Sequence, residues 1–314
     1  MKRPNFFIVG APKCGTTAMH EYLAMHPDIF MPTYKEPHFF GSDLRGPRFK
    51  RFRNQEDKYL RLYRDATHEK RLGESSVWYL SSQKAAEEIK AWDADARIII
   101  MLRSPVEMLH SLYYQFRFTG NETMPTFKQA LDIEAARREG RDIPKLSHTI
   151  HGLFYRNIAS FTEQVKRYQE TFGPEQVHVI VHDDMKADVY DVYRKVLVFL
   201  GVDETFETDL SVINANREVR MGVFQKMLMS AGISPLLLKD AFNEWTATSR
   251  FFPPALRQAL LAGTMKAYTR HEKRPPMDAA VRRQLQHEFM PEVERLSALL
   301  DRDLTHWCRD DSMN

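Results

Sequence analysis

The sequence predicts an α/β fold, a P-loop-like parallel β-sheet with helices on both faces and a helical C-terminal region. The prediction depends on three largely apolar runs, at residues 6–9, 97–102 and 177–181. Each run is followed by a segment with helical spacing, and strands buried on both faces are continuously apolar rather than alternating. Ligands bind at the carboxyl ends of such strands, so the loops after these runs are the expected site.

Composition is that of an ordinary folded protein. Hydrophobic residues make up 43% of the 314 positions, and 45 Lys and Arg nearly balance 42 Asp and Glu. The resulting charge of +3 is too small to predict a nucleic-acid partner. The apolar runs are shorter than the roughly 20 residues of a membrane span. Two cysteines are too few for a disulfide framework. We therefore expect no membrane span and a cytoplasmic location.

We predict one domain over residues 1–314, while the oligomeric state stays open. From residue 222 the chain is rich in Met and Leu and is interrupted by prolines, which predicts several short helices. Residues 220–276 are either a lid over the site or further core and surface helix. Residues 45–64 alternate basic and aromatic side chains. For this stretch a solvated face is favoured over a surface that binds an anionic acceptor.

The loop after the first run has the features of an anion-binding cradle. Residues 10–17, GAPKCGTT, join a buried run to the start of a helix, where backbone N–H groups and the helix dipole bind anions. Both glycines match the Walker pattern, but Thr16 occupies the usual lysine position and the lysine is Lys13. This shift favours a shorter 5′ group over a triphosphate. Thr16 and Thr17 also suit a helix N-cap.

A second motif consists of Arg103 after the run 97–102, followed by Pro105 and Ser111. Together with residues 10–17 it resembles the donor site of sulfotransferases that use 3′-phosphoadenylyl sulfate (PAPS). The resemblance implies PAPS as donor, adenosine 3′,5′-bisphosphate (PAP) as product, and no metal. The implied donor-binding residues are Lys13, Cys14, Gly15, Thr16 and Thr17 at the 5′ group, and Arg103 and Ser111 at the 3′-phosphate.

Further segments extend this resemblance over most of the chain. Residues 73–80, GESSVWYL, are similar to a family segment, and residues 291–307 are similar to the closing helix and tail of many bacterial members. Trp78 suits either stacking on adenine or core packing. Arg217 lies where the family closes a basic loop over the 3′-phosphate, although the usual Lys-Gly pair is absent.

The segment 35–40, KEPHFF, resembles an element of carbohydrate and heparan sulfate sulfotransferases and provides the candidate base. The resemblance implies that Glu36 deprotonates the acceptor. Burial beside Phe39 and Phe40 is expected to raise its pKa toward working pH. His38 is the alternative base, because imidazole titrates near neutrality. A loop that is anchored by its aromatic residues and has no catalytic role is the third interpretation.

The predicted function is metal-independent, in-line transfer of a sulfuryl group from PAPS to a hydroxyl, or less favourably an amine, of a carbohydrate, lipid or small-metabolite acceptor. Lys13 is expected to stabilise the leaving phosphate. A kinase-like enzyme would instead bind ATP and Mg²⁺ through Asp183 or Asp184. A non-catalytic scaffold would bind PAP without transfer. His148 and His151 suit packing or an acceptor pocket better than a metal site.

Overall fold

The centre of the molecule is a five-stranded parallel sheet, in a computed structural model that describes residues 2–210, 235–248 and 275–309. The strands are β1 Phe6–Gly10, β2 Ile29–Phe30, β3 Arg71–Ser75, β4 Arg97–Leu102 and β5 Val177–Val181. Their order in the sheet is β2-β3-β1-β4-β5. The predicted fold class is confirmed, and the second and third predicted runs coincide with β4 and β5.

Helices cover the sheet. All residues of β1 are buried, and because successive strand residues point to opposite faces, both faces of this strand are covered. The helices are α1 Thr16–Leu23, α2 Glu56–Leu60, α3 Ala85–Trp92, α4 Pro105–Thr119, α5 Phe127–Asp132, α6 Glu134–Arg138, α7 Tyr155–Ile158, α8 Phe161–Phe172, α9 His182–Ala187, α10 Val189–Leu200, α11 Pro235–Thr248 and α12 Ala279–Leu299.

Strand β3 was not predicted, because Leu72 is its one large apolar residue. It nevertheless lies between β1 and β2. Gly73 allows this placement, since a Cβ atom there would lie 2.2 Å from Cζ of Phe6 and 2.3 Å from Sδ of Met31. The prediction missed this strand because its position inside the sheet depends on the small size of Gly73 and not on hydrophobicity.

The parallel register brings the loops after four strands to one edge of the sheet. Ile8 of β1 lies opposite Ser75 of β3 and Ile99 of β4. Backbone hydrogen bonds then join the loops to the strand ends: Ala11 N–H donates to Met101 O at 2.6 Å, and Leu80 N–H donates to Val9 O at 2.7 Å. The edge is therefore a fixed platform for the site.

The helical C-terminal region is confirmed by α11 and α12. Within the predicted lid, 220–276, the described residues are those of α11 and the start of the 275–309 range. The remainder of that segment lies outside the described residues. The single domain over 1–314 stays a prediction.

The basic and aromatic stretch 45–64 is not a solvated face at its centre, so that expectation was wrong there. Phe49 and Phe52 are completely buried. The side chains of Arg48 and Arg51 are each only 16% exposed, and they form ion pairs with carboxylates of α11. The opposite charges of a helix far along the chain make burial of these arginines favourable.

A buried ion pair fixes the region after α4. Arg137 of α6 donates two hydrogen bonds of 2.7 Å to the carboxylate of Glu122, and both side chains are completely buried. The hydroxyl of Tyr155 in α7 donates to the same carboxylate at 3.1 Å. Removing one partner of such a pair leaves an uncompensated charge in the interior.

We expect Arg137→Ala to lower the free energy of unfolding by about 3–5 kcal/mol, because Glu122 then stays buried without its cation. Lys128→Ala removes an exposed ion pair with Asp132 and is expected to cost less than about 1 kcal/mol. Denaturant unfolding measures both changes. Equal losses in the two variants would contradict the importance assigned to the buried pair.

Candidate active site

The predicted anion-binding loop, residues 10–17 and hereafter the phosphate loop, begins at the carboxyl end of β1 and leads directly into α1. Lys13 and Gly15 both have left-handed backbones, with φ of 64° and 92°. Gly15 is the N-cap residue of α1. The N-cap interpretation of Thr16 and Thr17 was therefore wrong, since they are the first two helical residues. Their backbone N–H groups belong to the first turn of α1, whose donors have no intrahelical partners.

The backbone of this loop is closely packed beneath its tip. A Cβ atom at Gly10 would lie 2.7 Å from Val77 O and 2.7 Å from Cβ of Leu80. The Cys14 thiol is buried and donates a 3.4 Å hydrogen bond to Pro12 O. Burial raises the pKa of Cys14 to about 12, against the opposing charge of Arg103. The thiol is thus neutral and structural, which leaves the backbone of Cys14 for any donor contact.

Arg103 follows β4 and lies close enough to the phosphate loop to act electrostatically on Cys14. Its guanidinium is 3.7 Å from a carboxylate oxygen of Glu107, which in turn pairs with Arg282 of α12 at 2.7 Å. Ser111 lies on the same helix as Glu107 and is buried. The structure therefore places Arg103 beside the loop and Ser111 about two helical turns farther along α4.

His182, which the prediction did not include in the site, also lies at this edge. Its ring carbon Cδ2 would be 3.5 Å from a Cβ atom on Gly15. Burial, aided by Arg103 and Lys186, lowers the pKa of His182 to about 4. The residue begins α9, directly after β5. Its position at the strand end was the available signal in the sequence.

Glu36 is attached to the neighbouring strand end, because its backbone N–H donates to Ser75 O at 3.0 Å. Its carboxylate has two cationic partners: Lys35 Nζ is 3.1 Å from Oε1, and Arg48 Nη2 is 3.1 Å from Oε2. Burial acts to raise the pKa of Glu36, but Lys35, Arg48 and His38 outweigh it and hold that pKa well below its usual range. The expected upward shift was therefore wrong.

The aromatic residues of this loop, Phe39 and Phe40, pack against other aromatic rings. Phe39 stacks on Tyr59 with ring centroids 4.3 Å apart, and Phe40 meets the ring of Phe7 edge-on at 5.7 Å. They anchor the loop in the core, as the third interpretation of the segment expected. This anchoring accompanies the charged cluster at Glu36 and does not replace it.

His38 is completely buried, and neither ring nitrogen has a hydrogen-bond partner among the described residues. Its Nε2 is 3.9 Å from Oε2 of Glu36, and its ring lies edge-on to Phe49 and Tyr79. Burial, with Arg48 nearby, lowers the pKa of His38 to about 3. The ring is therefore neutral at physiological pH and next to the candidate base.

Glu36 and His38 both have left-handed backbones, with φ of 62° and 52°. Such non-glycine conformations are strained and persist where surrounding contacts impose them. Here His38 N–H donates to Ser76 Oγ at 3.2 Å. Ser76 Oγ in turn donates to Glu74 at 2.5 Å, and Tyr59 OH donates to the other carboxylate oxygen of Glu74. A buried carboxyl thus supports the loop of the candidate base.

The predictions did not assign this role to Glu74, although the motif 73–80 contained it. Burial raises the pKa of Glu74 to about 7, against hydrogen bonds from Ser76, Tyr59 and Tyr79 that favour the charged form. The available signal in the sequence was a glutamate between small residues, in GES at positions 73–75. This signal indicates a buried carboxyl only once β3 is known to lie inside the sheet.

Three other predicted aromatic and imidazole residues lie in packed surroundings. Trp78 is 3% exposed and stacks on Phe116, as core packing requires, and adenine stacking stays a prediction. His151 Nε2 lies 2.9 Å from Ser81 Oγ. Burial, with Arg48 nearby, lowers the pKa of His148 to about 3. Arg217 lies outside the described residues.

Asp183 and Asp184, offered as Mg²⁺ ligands in the kinase alternative, bind the C-terminal segment. Trp307 Nε1 donates to Asp183 at 2.6 Å, and Arg302 donates to both oxygens of Asp184 at 2.5 and 2.6 Å. Within the described ranges no group of three or more His, Cys, Asp or Glu side chains is arranged to hold a metal ion. None of the helices there combines the length and apolarity needed to cross a bilayer.

Comparison with known proteins identifies related sequences. Residues 3–260 match the sulfotransferase domain family. Human carbohydrate sulfotransferase 15 is 28% identical over 313 aligned positions, which cover 78% of this chain and 55% of that protein. Human heparan sulfate glucosamine 3-O-sulfotransferase 3B1 is 31% identical over 129 positions, covering 40% of this chain and 30% of that protein. The chain thus spans about half the length of the first of these relatives.

A solved structure covers nearly the whole chain. It is a sulfotransferase from Alicyclobacillus acidocaldarius, with 30% sequence identity and a TM-score of 0.71. The match includes 98% of this chain and 100% of that one. The similarity to this sulfotransferase therefore includes the architecture of nearly the whole chain.

The raised pKa of Glu74 predicts a pH-dependent stability. The folded protein holds this proton more tightly than the unfolded chain, whose glutamate pKa is 4.5. The stabilisation is therefore fully present below pH 4.5 and is lost as pH rises toward 7. Relative to Glu74→Gln, the free energy of unfolding of the wild type should fall by about 3 kcal/mol across this window.

Unfolding in denaturant at several pH values measures this difference. Glu87→Gln is the control, because it removes an exposed carboxylate of α3, and it should keep the wild-type slope. A Glu74→Gln variant with the same pH slope as the wild type would show that burial does not raise the pKa of Glu74.

Proposed function

The chain belongs to the sulfotransferase domain family, and from that premise we propose that it transfers a sulfuryl group from PAPS to a hydroxyl group of a carbohydrate. One observation carries the proposal. The loop of Lys13 and the ion-paired carboxylate of Glu36 lie at the carboxyl ends of β1 and β3, which are neighbours in the sheet. A donor cradle and a candidate base are thus next to each other.

The donor half is proposed to bind PAPS through two separate features. The first turn of α1, its dipole and Lys13 suit the 5′-phosphosulfate. Arg103 and Ser111 suit the 3′-phosphate, because a guanidinium binds phosphate with directed hydrogen bonds. The carboxylate of Glu107 is 3.7 Å from Arg103 and weakens the attraction of Arg103 for anions. An anion that also contacts Ser111 or the loop is therefore favoured over one that contacts Arg103 alone.

In the proposed reaction the acceptor oxygen forms a bond to sulfur while the bond from sulfur to the bridging oxygen of the 5′-phosphate breaks. The electron pair of that bond remains on the phosphate, which leaves as PAP. Lys13 stabilises this developing charge. The proton of the acceptor hydroxyl passes to Glu36. The lowered pKa of Glu36 keeps its carboxylate ionised at neutral pH, so it is in the form that a general base needs before the reaction.

Glu36 is preferred to His38 as the base because it is partly exposed and ionised, whereas His38 is completely buried. The carbohydrate acceptor is inferred from relatives named as carbohydrate and heparan sulfate sulfotransferases. Amine, lipid and small-metabolite acceptors are alternative outcomes of an acceptor screen. The kinase alternative is less favoured, because Asp183 and Asp184 are engaged by the C-terminal segment. The cytoplasmic location stays a prediction.

PAP should raise the melting temperature of the wild type more than ADP, AMP or ATP with Mg²⁺, because Arg103 and Ser111 provide a site for the 3′-phosphate. Arg103→Ala should lose most of this selectivity. Arg97→Ala is the matched control, since Arg97 begins the same strand at its opposite end, and it should keep the PAP-induced shift. A larger shift with ATP and Mg²⁺ would contradict the donor assignment and favour a kinase.

Glu36→Gln should lower kcat by about 10²–10⁴-fold, because the amide cannot accept the acceptor proton. The PAP-induced shift in melting temperature should be unchanged. Turnover is measured as PAP release from PAPS in the presence of candidate carbohydrate acceptors, including unsulfated heparan.

Two variants serve as controls for this substitution. Glu21→Gln removes an α1 carboxylate that also interacts with Lys35 and should leave turnover unchanged. His38→Gln should reduce turnover less than Glu36→Gln. The assignment of Glu36 as the base is overturned if Glu36→Gln stays active. A wild-type protein that binds PAP but shows no turnover on any acceptor class would support the alternative of a non-catalytic scaffold.

A further inference from the structure

Arg48 lies between two carboxylates from distant parts of the chain. Its Nη2 is 3.1 Å from Oε2 of Glu36, and its Nε is 3.6 Å from Oδ2 of Asp240 in α11. Asp240 is buried, and its Oδ2 accepts no hydrogen bond from a described residue. The charge of Asp240 in the interior is therefore compensated by the approach of Arg48.

We propose that Arg48 is a positioning residue that orients Oε2 of Glu36 and keeps this carboxylate ionised, and that Asp240 links α11 to the same guanidinium. The proposal rests on the proposed function, since it concerns the base assigned there. In this scheme Arg48 accepts no proton and transfers no group itself, and it acts through its ion pair with the carboxylate of Glu36.

A second group of ion pairs on α11 provides a control that distinguishes the positioning of Glu36 from the attachment of α11 to the rest of the protein. Glu244 follows Asp240 by one helical turn and pairs with Arg51 at 2.8 Å and with Lys58 at 2.5 Å. Arg51 is buried to the same extent as Arg48. Among the described residues, Glu36 forms ion pairs with Lys35, His38 and Arg48. Both arginines therefore pair with carboxylates of α11, but of the two it is Arg48 that also pairs with the candidate base.

Few of the groups around Glu36 carry charge. Burial lowers the pKa values of His20, His38 and His148 to about 3, and burial with Asp240 nearby raises the pKa of Tyr34. These four groups are neutral near pH 7. The charged groups that face Glu36 are Lys35 and Arg48. Those that face Arg48 are Glu36 and Asp240.

This charge balance determines what loss of Arg48 would do. Lys35 remains at Oε1, but Oε2 loses its cation while the carboxylate stays largely shielded from solvent. Desolvation then acts against a single positive neighbour, and Asp240 adds a negative charge without compensation. Each change favours the protonated form of Glu36.

The test follows the titration of Glu36 directly, without donor or acceptor. Carboxyl ¹³C NMR of glutamate-labelled protein reports each glutamate, and Glu36→Gln identifies the resonance by its loss. In the wild type Glu36 should stay ionised to the lowest pH at which the protein is folded. In Arg48→Gln its titration should move upward by about one to three pH units. Arg51→Gln should titrate as the wild type does, and Arg48→Lys should restore much of the low value.

The proposal is overturned if Arg48→Gln leaves the titration of Glu36 unchanged, or if Arg51→Gln shifts it equally. A second measurement covers α11. In denaturant unfolding, Arg48→Gln and Asp240→Asn should be non-additive, so that the double variant loses less stability than the sum of the single losses. Additive losses would contradict the link to Asp240.

The turnover assay then separates this proposal from the proposed function. In an active enzyme, Arg48→Gln should move the acidic limb of the pH profile of kcat/KM upward, and Arg51→Gln should not. An inactive wild type with the expected NMR shift would refute the proposed function and leave the geometry of Arg48 intact. An active wild type whose two arginine variants behave alike would refute the role of Arg48 alone.

Discussion

The parallel pairing of β1 with β3 on one side and β4 on the other is the constraint on which the rest of the structure depends. It brings the loops after Gly10, Ser75 and Leu102 to one edge of the sheet. The close fit at Gly73 allows β3 to approach β1, and the fit at Gly10 allows residues 77–80 to pass beneath the phosphate loop. Without these contacts, Lys13, Glu36 and Arg103 would not share an edge.

The strands and the loop that form the proposed donor half could be predicted because their determinants are local. Residues 6–17 contain a buried run, a glycine-containing turn and the start of a helix. Arg103 is the first residue after β4. The apolar content of β4 and β5 identified both strands within their observed bounds. β3 was missed because a strand of Arg, Leu, Gly, Glu and Ser lacks the pattern that hydrophobicity detects.

The acceptor half depends on contacts that no local pattern contains. The position of Glu36 was found by resemblance, but the direction of its pKa shift was wrong because Arg48 approaches from another loop. Asp240 then approaches Arg48 from nearly two hundred residues farther along the chain. Electrostatic effects of this kind depend on distance and burial, and both quantities exist only in the folded protein.

The two halves therefore differ in how their chemistry can change during evolution. The proposed donor binding depends on backbone N–H groups, a helix dipole and a strand-end arginine, which the fold itself holds in place. The charge on Glu36 depends instead on side-chain pairs, and one of those pairs connects it to a C-terminal helix. A substitution in α11 can alter the candidate base without disturbing the phosphate loop. Acceptor chemistry can thus diverge among chains that keep the same donor cradle.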